Sequence, residues 1–83
     1  KFAHCHTVYH EATYLHNFLD RAIQTHHSTA LQAGEFAQKA SVNQLLIGHF
    51  SSRYHTTDKH LAESRSQFKE TYVAEEGQTF RIY

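Results

Sequence analysis

Three polar clusters in this chain carry residue types that can act together on a phosphate ester: His10-Glu11-Ala12-Thr13, His27-Ser28-Thr29, and His49 through Arg53. Each stands at the end of a regular element. A hydroxyl residue at the first turn of a helix comes with free backbone N–H groups and positive dipole character. Ser28, Thr29 and their amides therefore form an anion seat that needs no basic residue. A histidine beside that seat, oriented by a carboxylate such as Glu11, is drawn toward its protonated form and can give a proton to a leaving oxygen; His27 is the candidate. The same residues also read as a plain helix cap and a loop histidine, and the two readings are compatible.

In the third cluster the apolar run Leu45-Leu46-Ile47-Gly48 stops at His49 and is followed by Ser51, Ser52 and Arg53. A buried strand closing on His49 holds an imidazole at the carboxyl edge of a sheet, where open α/β folds place their sites, and the serines and Arg53 can meet an anion there. By spacing alone His49 is either a metal ligand or a hydrogen-bonded residue closing the strand, because a metal site requires three or four ligands. Arg53 is either a phosphate clamp or half of a surface ion pair. The chain holds nine histidines. They match no closed zinc-finger spacing, so most are expected on the surface, and His4-Cys5-His6 is a weak two-imidazole hook.

The elements that must position these clusters follow from periodicity. Residues 1–13 read as short extended segments with Val8 and Tyr9 buried. Leu15, Phe18, Leu19, Ala22 and Ile23 recur at helical spacing and predict an amphipathic helix from Tyr14 to about Gln24. Ser28 or Thr29 caps a second helix, ending near Ala40, whose Ala30, Ala33, Phe36, Ala37 and Ala40 form a face suited to close packing on a sheet. The strand 45–49, apolar at neighbouring positions, predicts burial on both faces, as in a parallel or mixed sheet. A polar stretch 51–57 precedes a third helix starting at Thr57 or Asp58, with a stripe of Leu61, Ala62, Arg65 and Phe68. Two β segments, 71–74 and 79–83, flank a turn containing Gly77. The fold class is α/β, in one domain or part of one.

Composition sets outer bounds. Eighty-three residues make one small domain with a thin core, burying roughly 60–65% of the surface of the unfolded chain. Eight basic and eight acidic side chains balance, so no overall field draws in nucleic acid or an anionic membrane, and a polyanion must be gripped locally. The single cysteine, Cys5, excludes an internal disulfide and fits a reducing compartment. With no apolar run of membrane-spanning length, the expectation is a soluble, cytoplasmic protein with no membrane partner.

Taken in order, the motifs resemble the carboxyl-terminal third of ribonuclease Z, the tRNA 3′-processing endonuclease of the metallo-β-lactamase superfamily. His10-Glu11-Ala12-Thr13-Tyr14 resembles the family's HEAT[FY] segment. His27-Ser28-Thr29-Ala30 resembles its HST loop, and Leu46 through Tyr54 its last metal-ligand strand. Glu63 through Phe68, Thr71 through Ala74 and Gly77 through Phe80 continue the likeness.

The resemblance implies the C-terminal part of an αβ/βα sandwich, with helices packed on a mixed sheet. It implies a phosphodiesterase with two zinc ions in the complete enzyme, cutting precursor tRNA on the 3′ side of the discriminator nucleotide. By the same carry-over His49 is a zinc ligand and Glu11 orients His27, which protonates the departing 3′ oxygen. Arg53 and the hydroxyls of Thr13, Ser28, Thr29, Ser51 and Ser52 hold RNA phosphate, and the enzyme is a homodimer. The family's HxHxDH motif and its metal-bridging Asp have no counterpart in these residues. The remainder of a catalytic domain must therefore complete the metal site, and the 83 residues alone are expected to be inactive. Two readings of other classes stand beside this one: a noncatalytic α/β packing or oligomerisation module, and a phosphodiesterase of the same superfamily acting on small phosphodiesters.

Overall fold

A computed structural model describes residues 7–74. Strand β1 (Thr7–Glu11) leads through a 3-10 turn (His16–Phe18) into helix α1 (Leu19–Thr25). Helix α2 (Ala30–Ala40), strand β2 (Gln44–Gly48), helix α3 (Asp58–Arg65) and strand β3 (Thr71–Val73) follow. The strands form one sheet in the order β1-β2-β3, parallel at both contacts. The sheet is thus wholly parallel among the described residues, not mixed. The hook at His4-Cys5-His6, the turn at Gly77 and the segment 79–83 lie outside those residues.

Burial on both faces of β2 arises as its run of apolar side chains predicts. Leu45 and Ile47 enter the core with Ala12, Ala30, Ala33 and Ala37. Leu46, on the opposite face, is flanked in register by Tyr9 and Tyr72. That opposite face is only partly covered, which leaves Tyr9 44% exposed rather than buried as its position suggested. Gly48 ends the strand beneath Tyr9: a Cβ there would sit 2.6 Å from the phenol oxygen.

Helix α2 starts where its cap predicts. Thr29 accepts from the Gln32 amide at 3.2 Å while Gln32 accepts from the Thr29 amide at 2.9 Å, a reciprocal box that satisfies two otherwise free donors. The helix closes at Ala40 on Ser41 in the left-handed region (φ 56°). Its small face lets α3 approach closely: Ser64 Oγ donates to the Ala30 carbonyl at 2.6 Å, and a Cβ on Gly34 would lie 2.5 Å from the Ser64 carbonyl oxygen. This contact turns α3 so that His60 and Ser64 face inward, while Ala62 and Arg65 of the expected stripe are exposed. Phe36 and Ala40 are likewise exposed. The Phe36 ring rests against His10 at 5.2 Å between centroids.

The first predicted helix is shorter and later than expected. Tyr14 is held extended by a bridge to Thr29, its carbonyl accepting from the Ala30 amide at 2.8 Å. Helical geometry therefore begins only at His16, as a 3-10 turn. Ala22 is the one buried residue of α1, and Ile23 is 62% exposed. No helix among the described residues is long and apolar enough to cross a membrane.

Candidate active site

The carboxyl ends of β1 and β2 and the amino end of α2 are laced together by main-chain hydrogen bonds. The Ala12 amide donates to the Gly48 carbonyl at 2.8 Å, and the Ser51 amide donates to the Thr13 carbonyl at 3.0 Å. The Tyr14 amide reaches the Ser28 carbonyl at 3.3 Å. These bonds bring the three sequence clusters to one sheet edge, with the rings of His27 and His49 5.3 Å apart between centroids.

Glu11 organises the cluster. Its Oε2 accepts from the Ser28 amide at 2.9 Å. Its Oε1 accepts the Thr13 hydroxyl at 2.5 Å and lies 3.3 Å from His27 Nδ1. Two of the roughly four lone-pair positions of the carboxylate are thus taken, and a third side faces the His27 ring. With Nδ1 of His27 turned to Glu11, Nε2 is the ring atom left for chemistry.

The tautomer of His49 follows from the same bonds. Thr13 Oγ1 lies 3.0 Å from His49 Nδ1. Because the hydroxyl proton is committed to Glu11, the oxygen accepts here, so His49 carries its proton on Nδ1 and presents an unprotonated Nε2. A metal-ligating histidine needs this arrangement, the far nitrogen anchored and the near one bare. The strand itself stops at Gly48, one residue before the expected end. His49 occupies the left-handed region (φ 61°), a conformation that costs a non-glycine residue roughly 1–2 kcal/mol and turns the imidazole out to an exposed position.

Glu11, His27 and His49 each offer a ligand atom within 4.8 Å of the others. Two imidazoles and a carboxylate suit zinc by donor type. The carboxylate already accepts two hydrogen bonds and faces the His27 ring, so among the described residues the free donors reduce to the two imidazoles, fewer than a closed zinc site requires. The nearby Tyr9 phenol is pushed above its ordinary pKa, by burial first and by the charge of Glu11 second.

Two of the hydroxyls assigned to phosphate are engaged elsewhere. Thr13 is 4% exposed and links Glu11 to His49. Thr29 is fully buried, its hydroxyl shared between the Gln32 amide and His16 Nδ1 at 2.9 Å. Ser28 turns its amide to Glu11. Ser51 Oγ accepts from the Arg53 amide at 3.3 Å, and Ser52 and Arg53 are exposed. The Arg53 guanidinium lies 4.5 Å above the Phe18 ring.

Residues that local pattern did not reveal support the site from behind. The Glu63 carboxylate accepts from the His16 amide at 2.9 Å and the Leu31 amide at 3.1 Å, tying α3 to the start of α2 and to the 3-10 turn. Tyr54 Oη accepts from the Leu15 amide at 3.0 Å. His60 is fully buried, edge-on to Phe50 at 4.8 Å and to Tyr54 at 4.5 Å. Neither of its ring nitrogens makes a hydrogen bond of good geometry among the described residues, although the Thr13 carbonyl lies close by. Burial pushes its pKa down, partly opposed by the nearby Thr13 carbonyl. An acid or histidine on a mainly polar helix gives no periodic signal, which is why these contacts emerge only in three dimensions.

No family model matches the chain. Curated relatives do. The chain is 48% identical over 75 residues to ribonuclease Z of Cytophaga hutchinsonii, covering 90% of this chain and 24% of that protein. This chain belongs to the ribonuclease Z family. It is also 46% identical over 69 residues to ribonuclease Z of Porphyromonas gingivalis, covering 83% of this chain and 23% of that protein. Ribonuclease BN of Proteus mirabilis is 40% identical over 77 residues, covering 90% and 25%. The chain therefore spans about a quarter of the length of the curated relatives it matches. Three helices on a parallel sheet are consistent with part of the metallo-β-lactamase-type fold that the ribonuclease Z resemblance implies.

Proposed function

We propose that this chain supplies the proton-transfer group and one metal-ligand loop of a zinc-dependent ribonuclease Z that cuts precursor tRNA after the discriminator nucleotide. The observation that carries the reading is the linked unit His27–Glu11–Thr13–His49, in which one carboxylate faces one imidazole at 3.3 Å and sets the tautomer of the other through a hydrogen-bonded hydroxyl. Zinc, when bound, supplies Lewis acidity and an activated water. His49 holds it through Nε2, and the remainder of the catalytic domain supplies the other ligands and the second ion's site.

Glu11 fixes the His27 ring through Nδ1, and Nε2 gives a proton to the departing 3′ oxygen. Arg53, Ser51, Ser52 and Ser28 meet the flanking phosphates. The hydroxyls of Thr13 and Thr29 do not take part, being buried and engaged. The half-covered sheet face bearing Tyr9 and Tyr72 supports packing against the remainder of the domain, in a cytoplasmic homodimeric enzyme.

The test is a pair of substitutions in the full-length protein. His27→Ala should lower turnover on precursor tRNA by about 10²–10⁴-fold with bound zinc unchanged, while His49→Ala should lower both. Unchanged turnover in His27→Ala removes its role as proton donor, and full zinc content in His49→Ala removes its role as ligand.

A further inference from the structure

Helix α3 buries His60 and Ser64, one turn apart on one face. Ser64 ties that face to α2 through the Ala30 carbonyl. His60 meets different neighbours. Its ring takes Phe50 edge-on at 4.8 Å and Tyr54 edge-on at 4.5 Å between centroids. These two residues directly follow His49 and Arg53, so one imidazole grips both ends of the segment that carries the candidate ligand and the candidate phosphate arginine. The third neighbour is the Thr13 carbonyl. That oxygen accepts from the Ser51 amide at 3.0 Å, and a carbonyl with two lone pairs keeps one for a ring N–H. Thr13 is also the residue whose hydroxyl anchors His49 Nδ1. A leucine would fill the same fully buried space with no polar atom to satisfy; what the imidazole adds is a rigid donor facing β1.

We propose that His60 is a positioning residue that locks the segment 49–54 onto the end of β1 and thereby sets where His49 stands relative to Glu11 and His27. One ring N–H goes to the Thr13 carbonyl, and the other nitrogen stays bare between the two aromatic rings. His60 itself touches neither metal nor substrate. It acts on His49 through Thr13 and Phe50, and on Arg53 through Tyr54, whose hydroxyl is in turn held by the Leu15 amide at 3.0 Å. Outer groups of this kind fix the orientation of an inner ligand and so tune what that ligand binds. The consequence for zinc rests on the function proposed above; the lock on His49 does not.

The test uses histidine-ring ¹⁵N NMR and zinc titration on the full-length protein. In the zinc-free wild type His60 should show a single neutral tautomer whose N–H exchanges slowly with solvent; fast exchange or a mixture of tautomers overturns the proposal. His60→Leu fills the space and removes the donor. His60→Asn and His60→Gln return an amide donor near Nδ1 and Nε2 respectively, so one of the two should rescue. With folding verified by circular dichroism, His60→Leu should shift the His49 ring signals of the zinc-free protein. It should also lower zinc affinity about tenfold, read by chelator competition, and the rescuing variant should recover most of both. A merely structural role would lower the melting temperature and leave the His49 signals of the folded molecule unmoved, and that result overturns the proposal, as does failure of both amide variants to rescue. If the variants do not fold, the tautomer and exchange rate of the wild type decide. Shifted His49 signals with unchanged zinc affinity sink the ligand role of His49 and keep the positioning role of His60. Lost zinc in His49→Ala beside unmoved His49 signals in His60→Leu does the reverse.

Discussion

Thr13 Oγ1 stands 3.0 Å from His49 Nδ1 while its own proton goes to Glu11, so the hydroxyl of a buried residue decides which nitrogen of a neighbouring imidazole is free. Replacing Thr13 by Val keeps the side-chain shape and removes the relay. In the full-length protein zinc affinity should fall about 10–100-fold, as measured by competition with a chromophoric chelator, and Thr13→Ser should restore most of it. Equal zinc affinity in Thr13→Val and wild type would show that the tautomer of His49 is set by something else.

His60 imposes a pH dependence on stability. Burial lowers its folded-state pKa below the ordinary value of about 6.5, so in acid the unfolded chain takes up a proton that the folded chain refuses. Stability should therefore be full above the unfolded pKa. It should decline as pH falls through that value, and level off below the folded pKa. Thermal melts between pH 5 and pH 8 should show this slope, and His60→Leu should flatten it. An identical slope in that variant assigns the effect to other groups.

The α2–α3 contact depends on having no side chain at position 34. Gly34→Ala places a methyl 2.5 Å from a backbone carbonyl that cannot rotate away, so the helices must separate. The expected loss is about 1–3 kcal/mol by chemical denaturation, typical of overpacking, although alanine is intrinsically the better helix former. A gain in stability at this position would mean the helices are free to adjust.

Glu63 binds the amides that open α2 and the 3-10 turn, and thereby holds Thr29 and the neighbouring His27 loop at a set distance from β1. Glu63→Ala should cost about 1.5–3 kcal/mol, the worth of hydrogen bonds to a charged acceptor. It should also lower turnover, because the start of α2 carries the Ser28 amide that anchors Glu11. Glu63→Gln, which keeps an acceptor, should recover part of both. Wild-type melting and turnover in Glu63→Ala would exclude it from this support.

Much of the architecture was legible in residue order. The cap at Thr29, the end of α2 near Ala40, the doubly buried strand and the start of α3 follow from local rules, since capping and periodicity act over a few residues. The first helix was misplaced because Tyr14 is pulled into a bridge with Thr29, a tertiary demand that no local pattern encodes. The inward face of α3 was legible only in part: Leu61 and Phe68 of its stripe pack against the core, while close approach across Gly34 and Ser64 turns His60 and Ser64 inward and leaves Ala62 and Arg65 exposed.

For the site, residue types and their order alone singled out the three segments that the fold brings to one sheet edge and pointed to the family, because Glu11, His27 and His49 lie in motifs that are specific by composition. Only the tertiary structure decided which partner each group meets there. Two threonine hydroxyls with equal sequence credentials were turned inward, one to relay between Glu11 and His49, the other to cap α2. The physical reason is that a hydroxyl's role depends on the partner it meets at about 3 Å, and such partners are set by how the strand ends and the helix start are laced together, not by spacing along the chain.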